Sequence, residues 1–417
     1  MRVLVSALSC NSSFGSEALV GFKYTEALAR QHEVTVLASP PSQTPQGATL
    51  VPCDAGPCSF NEVDALALLR FELRQWRLAR QLRRRQRFDL MHRLTPSAIQ
   101  LPTLIALQHS PCVVGPLLGH VLPPPTFLPF LQRARQRPSQ PRLHPRRMAR
   151  GLAGRFVRYL TQSEFHLRRA SWILTGTQAA AAKVPERLRS RCRAITYAGV
   201  EYSVFVPPAL TPGPSPNRIG LGGPIRLLYV GRLVPYKGLE LLIRALAQAV
   251  VAVPCTLKVV GSGDLHYTDY CRRLVGELGL ADRVQFVLHL PREGLVSVYQ
   301  EADLFCLPSI ETYGVALLEA MSCGLAVVVS DINGPGENVP KDCGIKIPMR
   351  APEQFVHDFA NAIVALAKNN ELRAELGSAG RRHVLANHSW DRIARDLLSL
   401  YDEIAAAENH SPRRSVE

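Results

Sequence analysis

Short, nearly unbroken apolar runs alternate along this chain with longer segments that carry an apolar residue every three or four positions. The runs of the first half are Val3–Ser6, Val34–Ala38, Phe88–His92, Cys112–Gly115, Trp172–Thr175 and Ala194–Tyr197. Those of the second half are Ile225–Val230, Thr256–Val260, Val284–Leu288, Asp303–Leu307 and Ala326–Ser330. Runs this short and this apolar read as strands covered on both faces. Between them, Ser16–Arg30, Gly238–Ala252, Glu371–Ala386 and Trp390–Ala407 have the helical period. Strand–helix alternation predicts an α/β chain with parallel sheets.

The alternation runs twice. It is interrupted by P-P-A-L-T-P-G-P-S-P-N-R-I-G-L-G-G at 207–223, a stretch too rich in Pro and Gly for a helix or a central strand. The expected organisation is an N-terminal domain at 1–205, a linker at 206–223, a C-terminal domain at 224–386, and a last helix and tail at 387–417 that returns to the N-terminal domain. Two doubly wound domains imply a cleft between them, with ligands outside the carboxyl ends of the strands.

Composition narrows the classes. Of 417 residues, 47% are hydrophobic and 20% charged, which excludes a mostly disordered chain. No apolar run approaches the ~18 residues of a membrane span. Met1–Leu8 reads as a buried first strand rather than the core of a signal peptide. The ten cysteines form no C-x-x-C pair, so the expectation is buried, reduced thiols in a cytoplasmic protein.

Charge is unevenly spread. The net charge is +15, but residues 1–205 carry 28 basic and 11 acidic residues, whereas the remainder carries 21 and 23. The two halves therefore face different partners. Two stretches dominate the excess: Arg70–Arg87, and Arg133–Arg158 with nine arginines and no acid. In the first, Leu66, Leu69, Leu73 and Trp76 form a helical apolar stripe expected to pack on the sheet, with the arginines outward. The prolines of the second argue for a loop or lid. Two readings stand side by side: contact with an anionic membrane surface, or a solubilising arginine face.

The second half carries the candidate chemistry. After the strand Ile225–Val230 comes G-R-L-V-P-Y-K-G, 231–238. Gly231 permits a tight turn, and Arg232 and Lys237 bring two cations to a helix start, where free N–H groups already attract anions. The strand ending at Val260 runs into G-S-G at 261–263, which on its own is weak evidence for a nucleotide site. After Asp303–Leu307 comes P-S-I-E-T-Y-G-V-A-L-L-E-A-M-S-C-G, 308–324. Glu311 lies in the loop before a helix that starts near Gly314, and Glu319 lies within it. The plainer reading is that Glu311 caps the helix and Glu319 is a surface residue. But an unpaired carboxylate in A-L-L-E-A-M would be costly, so Glu319 is expected to accept from a ribose, and Glu311 to face sugar hydroxyls.

In this order, G-R-L-V-P-Y-K-G, G-S-G-D and E-T-Y-G-V-A-L-L-E resemble the GT-B retaining glycosyltransferases of family 4, and the two glutamates have the spacing of that family's E-x7-E motif. The resemblance implies two Rossmann-like domains facing each other across a cleft, and transfer of a sugar, with retention, from a nucleoside-diphosphate sugar to a glycan or lipid-linked acceptor. A role in cell-surface polysaccharide or glycolipid synthesis follows from it. Arg232 and Lys237 match the pair that neutralises the diphosphate, with Gly231 and Gly261 in the adjoining turns. Glu311 matches the residue facing the donor sugar. Tyr313, Gly314 and Val315 match the loop whose backbone meets sugar and phosphate, and Glu319 the ribose ligand. His289 and Leu290 stand where the family contacts the base. No metal or other cofactor is implied, and no D-x-D motif occurs.

In the first half, Gly15 and Ser16 open the helix after C-N-S-S-F-G-S-E, 10–17. In relatives this loop approaches the donor phosphates. The plainer reading is that Ser16 caps the helix and Glu17 complements its dipole. V-V-G-P-L-L-G-H, 113–120, resembles a family loop at the cleft, which makes His120 a candidate donor contact, with His92 a second. Two other classes fit the sequence less well. A sugar-nucleotide epimerase or dinucleotide enzyme lacks support because no G-x-G-x-x-G follows the first strand. A nucleic-acid binder is disfavoured because the arginines lack interleaved aromatics.

Overall fold

A computed structural model describes residues 1–13, 15–54, 65–99, 101–108, 111–119, 123–133, 164–208, 223–288 and 290–410. Among the described residues, thirteen strands form two parallel sheets. The first holds β1 (Arg2–Ala7), β2 (Glu33–Ala38), β3 (Ala48–Pro52), β4 (Leu90–Arg93), β5 (Cys112–Leu117), β6 (Trp172–Thr175) and β7 (Cys192–Ala194), in the order β3-β2-β1-β4-β5-β6-β7. The second holds β8 (Ile225–Val230), β9 (Cys255–Val260), β10 (Val284–Val287), β11 (Leu304–Leu307), β12 (Ala326–Ser330) and β13 (Ile345–Ile347), in the order β10-β9-β8-β11-β12-β13. The central strands are buried throughout: β1 after Arg2, and all of β4, β5, β11 and β12. Continuous Val, Leu and Ile runs are what a strand covered by helices on both faces requires.

The chain divides into two units. One comprises Met1–His120, Pro141–Ala198 and Trp390–Glu417, and the other Val121–Gln140 and Gly199–Ser389. Residues 199–208 thus group with the second unit rather than the first. The final helix, Trp390–His410, belongs to the first unit, where Tyr401 stacks on His32 with ring centroids 5.4 Å apart. A short segment from the first half groups with the second unit: Phe127 is buried edge-on against Phe355, and Thr126 donates to the Arg350 carbonyl at 3.0 Å. The 209–222 part of the expected linker and the Arg-rich stretch beyond Arg133 lie outside the described residues.

The arginine-rich helix Ala65–Arg85 buries a different face from the expected one. Leu73 is 39% exposed and Trp76 half-buried, while Leu68, Phe71, Glu72, Gln75 and Ala79 turn inward. The helix rotates because its two polar residues find partners. Gln75 bonds Ser6, and Glu72 accepts from Thr103 Oγ1 at 3.0 Å and from the Leu104 N–H at 2.7 Å. Arg93, with no solvent exposure, lies in the same field, and its N–H group donates to the Leu101 carbonyl at 3.2 Å. Arg70, Arg74, Arg77, Arg80 and Arg84 form the exposed face.

Nine cysteines are described, none disulfide-bonded and eight of them buried. Burial pushes the Cys10 and Cys112 thiols up to about 12, the behaviour of packing residues rather than nucleophiles. Among the described residues, no helix is long and apolar enough to cross a membrane.

Candidate active site

The second sheet reverses its order between β8 and β11. In doubly wound sheets the loops leaving such a pair diverge and open a crevice at their carboxyl ends. Two of the sequence motifs follow these two strands.

Beyond β8, residues Pro235–Lys237 make one 3₁₀ turn, and Gly238 then opens the helix Leu239–Ala249. Gly238 has φ +74°, and a Cβ there would stand 2.0 Å from the Pro308 carbonyl oxygen. Only glycine satisfies both conditions, and the close approach lays the Lys237 turn against the end of β11. The Ile310 N–H donates to the Tyr236 carbonyl at 3.0 Å, fastening the two loops. Beneath them the buried Tyr229 hydroxyl lies 3.3 Å from the Arg232 carbonyl and 3.5 Å from that of Lys237. Burial raises the Tyr229 pKa well above its ordinary value, so it is a neutral hydrogen-bonding group.

The loops bring the charges together. Lys237 Nζ lies 2.5 Å from Glu311 Oε2, with the two side chains only 12% and 14% exposed. The second carboxylate oxygen, Oε1, is buried and has no hydrogen-bond partner among the described residues. Arg232 donates to the Tyr236 hydroxyl. Burial raises the Tyr236 pKa, and Arg232 opposes that rise. Gly314, with φ +98°, caps the helix Val315–Ser322 without a side-chain bond, so the first N–H groups of that helix have no cap from it. Glu319, one and a half turns into this helix, accepts from the Tyr299 hydroxyl at 2.9 Å. Gly261 lies in the turn after β9, so close to Gly231 that its missing side chain would meet the Gly231 carbonyl. Its role in the geometry is to let two loops touch. The arrangement offers two cations, an uncapped helix start and one unpartnered carboxylate oxygen, which together suit a phosphorylated polyol.

Arg232, Lys237, Glu311, Tyr313 and Gly314 are thus carried on the loops of β8 and β11, Val315 and Glu319 on the helix that follows the β11 loop, and Gly231 and Gly261 in the turns beside them. His289 lies outside the described residues, and Leu290 is half-buried at the start of the segment after β10. In the first unit, Gly15 rather than Ser16 is the N-cap of the helix Ser16–Ala29, which makes no side-chain cap bond. Glu17 instead accepts from the Ser97 N–H at 2.8 Å. His120 lies outside the described residues. His92 is a core residue: Nε2 is 2.7 Å from the Gly115 carbonyl, and Nδ1 is 2.6 Å from the Tyr401 hydroxyl. Burial lowers its pKa to about 4, so it is neutral and fully engaged, which removes it as a donor contact. Sequence reasoning missed Tyr236 and Tyr299, the hydroxyl partners of Arg232 and Glu319. Tyr236 stands inside the P-Y-K-G motif and was open to view; Tyr299 carries no local signal.

Comparison with known proteins bears on the fold. Residues 216–383 match the family model for glycosyl transferases group 1. D-inositol 3-phosphate glycosyltransferase of Corynebacterium glutamicum (strain R) is 32% identical over 203 residues, 46% of this chain and 47% of that protein. Sucrose-phosphate synthase from Thermosynechococcus elongatus superposes with a TM-score of 0.67 at 21% identity, over 97% of this chain and 99% of the other. Anabaena Alr3699/HepE in complex with UDP-glucose gives a TM-score of 0.64 at 17% identity, over 97% and 100%. The fold is therefore that of the GT-B glycosyltransferases, and residues 216–383 are similar to glycosyl transferases group 1. The chain spans about half the length of the curated relatives it matches.

Proposed function

We propose that the protein is a retaining glycosyltransferase of the family 4 type that moves a sugar from a nucleoside-diphosphate sugar to a glycan or lipid-linked acceptor, in cell-surface polysaccharide or glycolipid synthesis. The observation that carries this reading is the Lys237–Glu311 pair beside Arg232 at the reversal of the second sheet, with one Glu311 oxygen left unpartnered. Arg232 and Lys237 take the diphosphate, Glu311 Oε1 accepts from a sugar hydroxyl, and Glu319 accepts from the ribose. Tyr313, Gly314 and Val315 offer their backbone to sugar and phosphate, and Leu290 borders the base.

In the reaction, the bond from the anomeric carbon to the β-phosphate oxygen breaks, and its electron pair stays on the departing nucleoside diphosphate. The acceptor hydroxyl oxygen bonds the same carbon with retention of configuration, and its proton passes to the departing phosphate oxygen. Charge grows on the phosphate oxygens, where fixed cations and N–H dipoles are most effective. The UDP-glucose held by Anabaena Alr3699/HepE supports a nucleotide-sugar donor. We also propose that the exposed arginines of the helix Ala65–Arg85 meet anionic lipid headgroups, which would bring the enzyme to a lipid-linked acceptor.

A thermal-shift screen of UDP- and GDP-sugars, followed by a product assay with the stabilising donor, tests the activity. A ligand that binds only the native state raises the melting temperature. Stabilisation by one donor and release of its nucleoside diphosphate are expected. No stabilisation by any nucleotide sugar would refute the proposal.

A further inference from the structure

Tyr313 and His388 are 75 residues apart in sequence, yet the Tyr313 hydroxyl lies 3.2 Å from His388 Nδ1. Both residues are buried, at 4% and 8% exposure. Tyr313 is part of the loop between Glu311 and the helix start at Gly314. Its backbone is already held twice. The carbonyl accepts from Asn338 Nδ2 at 2.7 Å, and Gly334 lies so close that a Cβ there would come 2.3 Å from the Tyr313 Cα. The ring, aimed inward, is the third hold, and its far end meets His388.

His388 also has a second attachment. It follows the helix Asn370–Asn387, and its carbonyl accepts from the Val200 N–H at 2.8 Å, while Val200 pairs with Ser389 as a parallel bridge. Two of the four places where the chain passes between the units are 198–199 and 389–390, so these paired residues lie in two adjoining crossing segments. One residue therefore bonds the glutamate loop through its ring and the crossing segment through its backbone. Burial, reinforced by the neighbouring His383, lowers the His388 pKa to about 4. At neutral pH the ring is thus an uncharged hydrogen-bonding partner, suited to fixing a position.

We infer that His388 is a positioning residue for the donor loop: it fixes the Tyr313 ring, and through it the direction of the backbone N–H groups at Gly314 and Val315. The inference rests on the donor reading given above. It adds a residue remote from the E-x7-E segment, in a part of the chain that carries no motif.

Calorimetric titration of UDP and GDP into the full chain tests it, using wild type, Tyr313→Phe, His388→Phe, the double variant and His388→Asn. A neutral hydrogen bond of this kind corresponds to an affinity change of about threefold to tenfold. Each single Phe variant is expected to weaken the better-bound nucleotide by about that factor, and the double variant to be no weaker than either single, the mark of two residues acting as one. His388→Asn, whose amide offers hydrogen-bonding atoms near the Nδ1 position, is expected to return to within about twofold of wild type. A merely structural histidine would not show this coupling or this rescue. Wild-type affinity in His388→Phe, or losses that multiply in the double variant, would overturn the inference. If His388→Phe does not fold, Tyr313→Phe and His388→Asn still decide, since wild-type affinity in Tyr313→Phe overturns it. Failure of the wild type to bind either nucleotide would defeat the donor reading itself, and the inference with it.

Discussion

Lys237 and Glu311 are 74 residues apart in sequence and meet at 2.5 Å, each carried on the loop of one of the two strands between which the second sheet reverses. The pair holds an ammonium ready at the crevice while leaving Glu311 Oε1 for another partner. Lys237→Ala is expected to lower turnover about 10²- to 10³-fold, the range for loss of one preorganised group at a developing charge. Steady-state assays with the donor found in the screen check this, and unchanged turnover would remove Lys237 from the machinery.

Gly238 gives a stability prediction independent of ligand. In Gly238→Ala the new Cβ would meet the Pro308 backbone oxygen at 2.0 Å, at φ +74°. Backbone strain and overpacking of this kind cost about 1–3 kcal/mol each. A melt monitored by circular dichroism should show the loss, and a melting temperature equal to wild type would contradict the close approach of the β8 and β11 loops.

Three histidines should make the protein acid-sensitive. Burial lowers His92, His166 and His388 to about 4 each, below the 6.5 of a free imidazole. Between these values the unfolded chain binds a proton at each and the native chain does not. Their contribution is therefore fully present above pH 6.5 and is lost as pH falls toward 4, at about 1.4 kcal/mol per pH unit per histidine. At pH 5.2, His92→Gln should take up about one proton fewer on unfolding than wild type. Equal uptake in the two would show that His92 titrates normally.

The arginine face of the helix Ala65–Arg85 tests the membrane proposal. Arg70, Arg77 and Arg84 are all exposed on it. At ~1 kcal/mol per basic residue near an anionic surface, changing all three to Glu should weaken retention on phosphatidylserine-containing vesicles at low salt by about a hundredfold or more, with nucleotide binding unchanged. If the wild type is not retained at all, the face is only a solubilising one.

The central strands were legible because burial on both faces writes a continuous apolar run into the sequence. The strands that escaped notice are at the sheet edges. β3, A-T-L-V-P, has no fully buried residue, and β13 is three residues long. β7, another edge, forms at Cys192–Ala194 rather than over Ala194–Tyr197. An edge strand is covered on one side only, so periodicity marks it weakly. In the candidate site, Arg232, Lys237, Glu311 and Glu319 could be read because each sits in a short linear motif beside a strand end. Tyr299 and His388 could not, since one reaches the site from a distant helix and the other from the turn after one. The face of the helix Ala65–Arg85 was misread because hydrogen bonding draws Glu72 and Gln75 inward, which a hydrophobicity pattern cannot anticipate.

The most direct test of the account is titration of UDP and GDP into wild type, Arg232→Ala and Lys237→Ala, followed by heat. The account predicts that wild type binds one of the two nucleotides at a single site and that each substitution weakens it at least about tenfold, as loss of a charged hydrogen-bonding partner should. Wild-type affinity in both variants would contradict it.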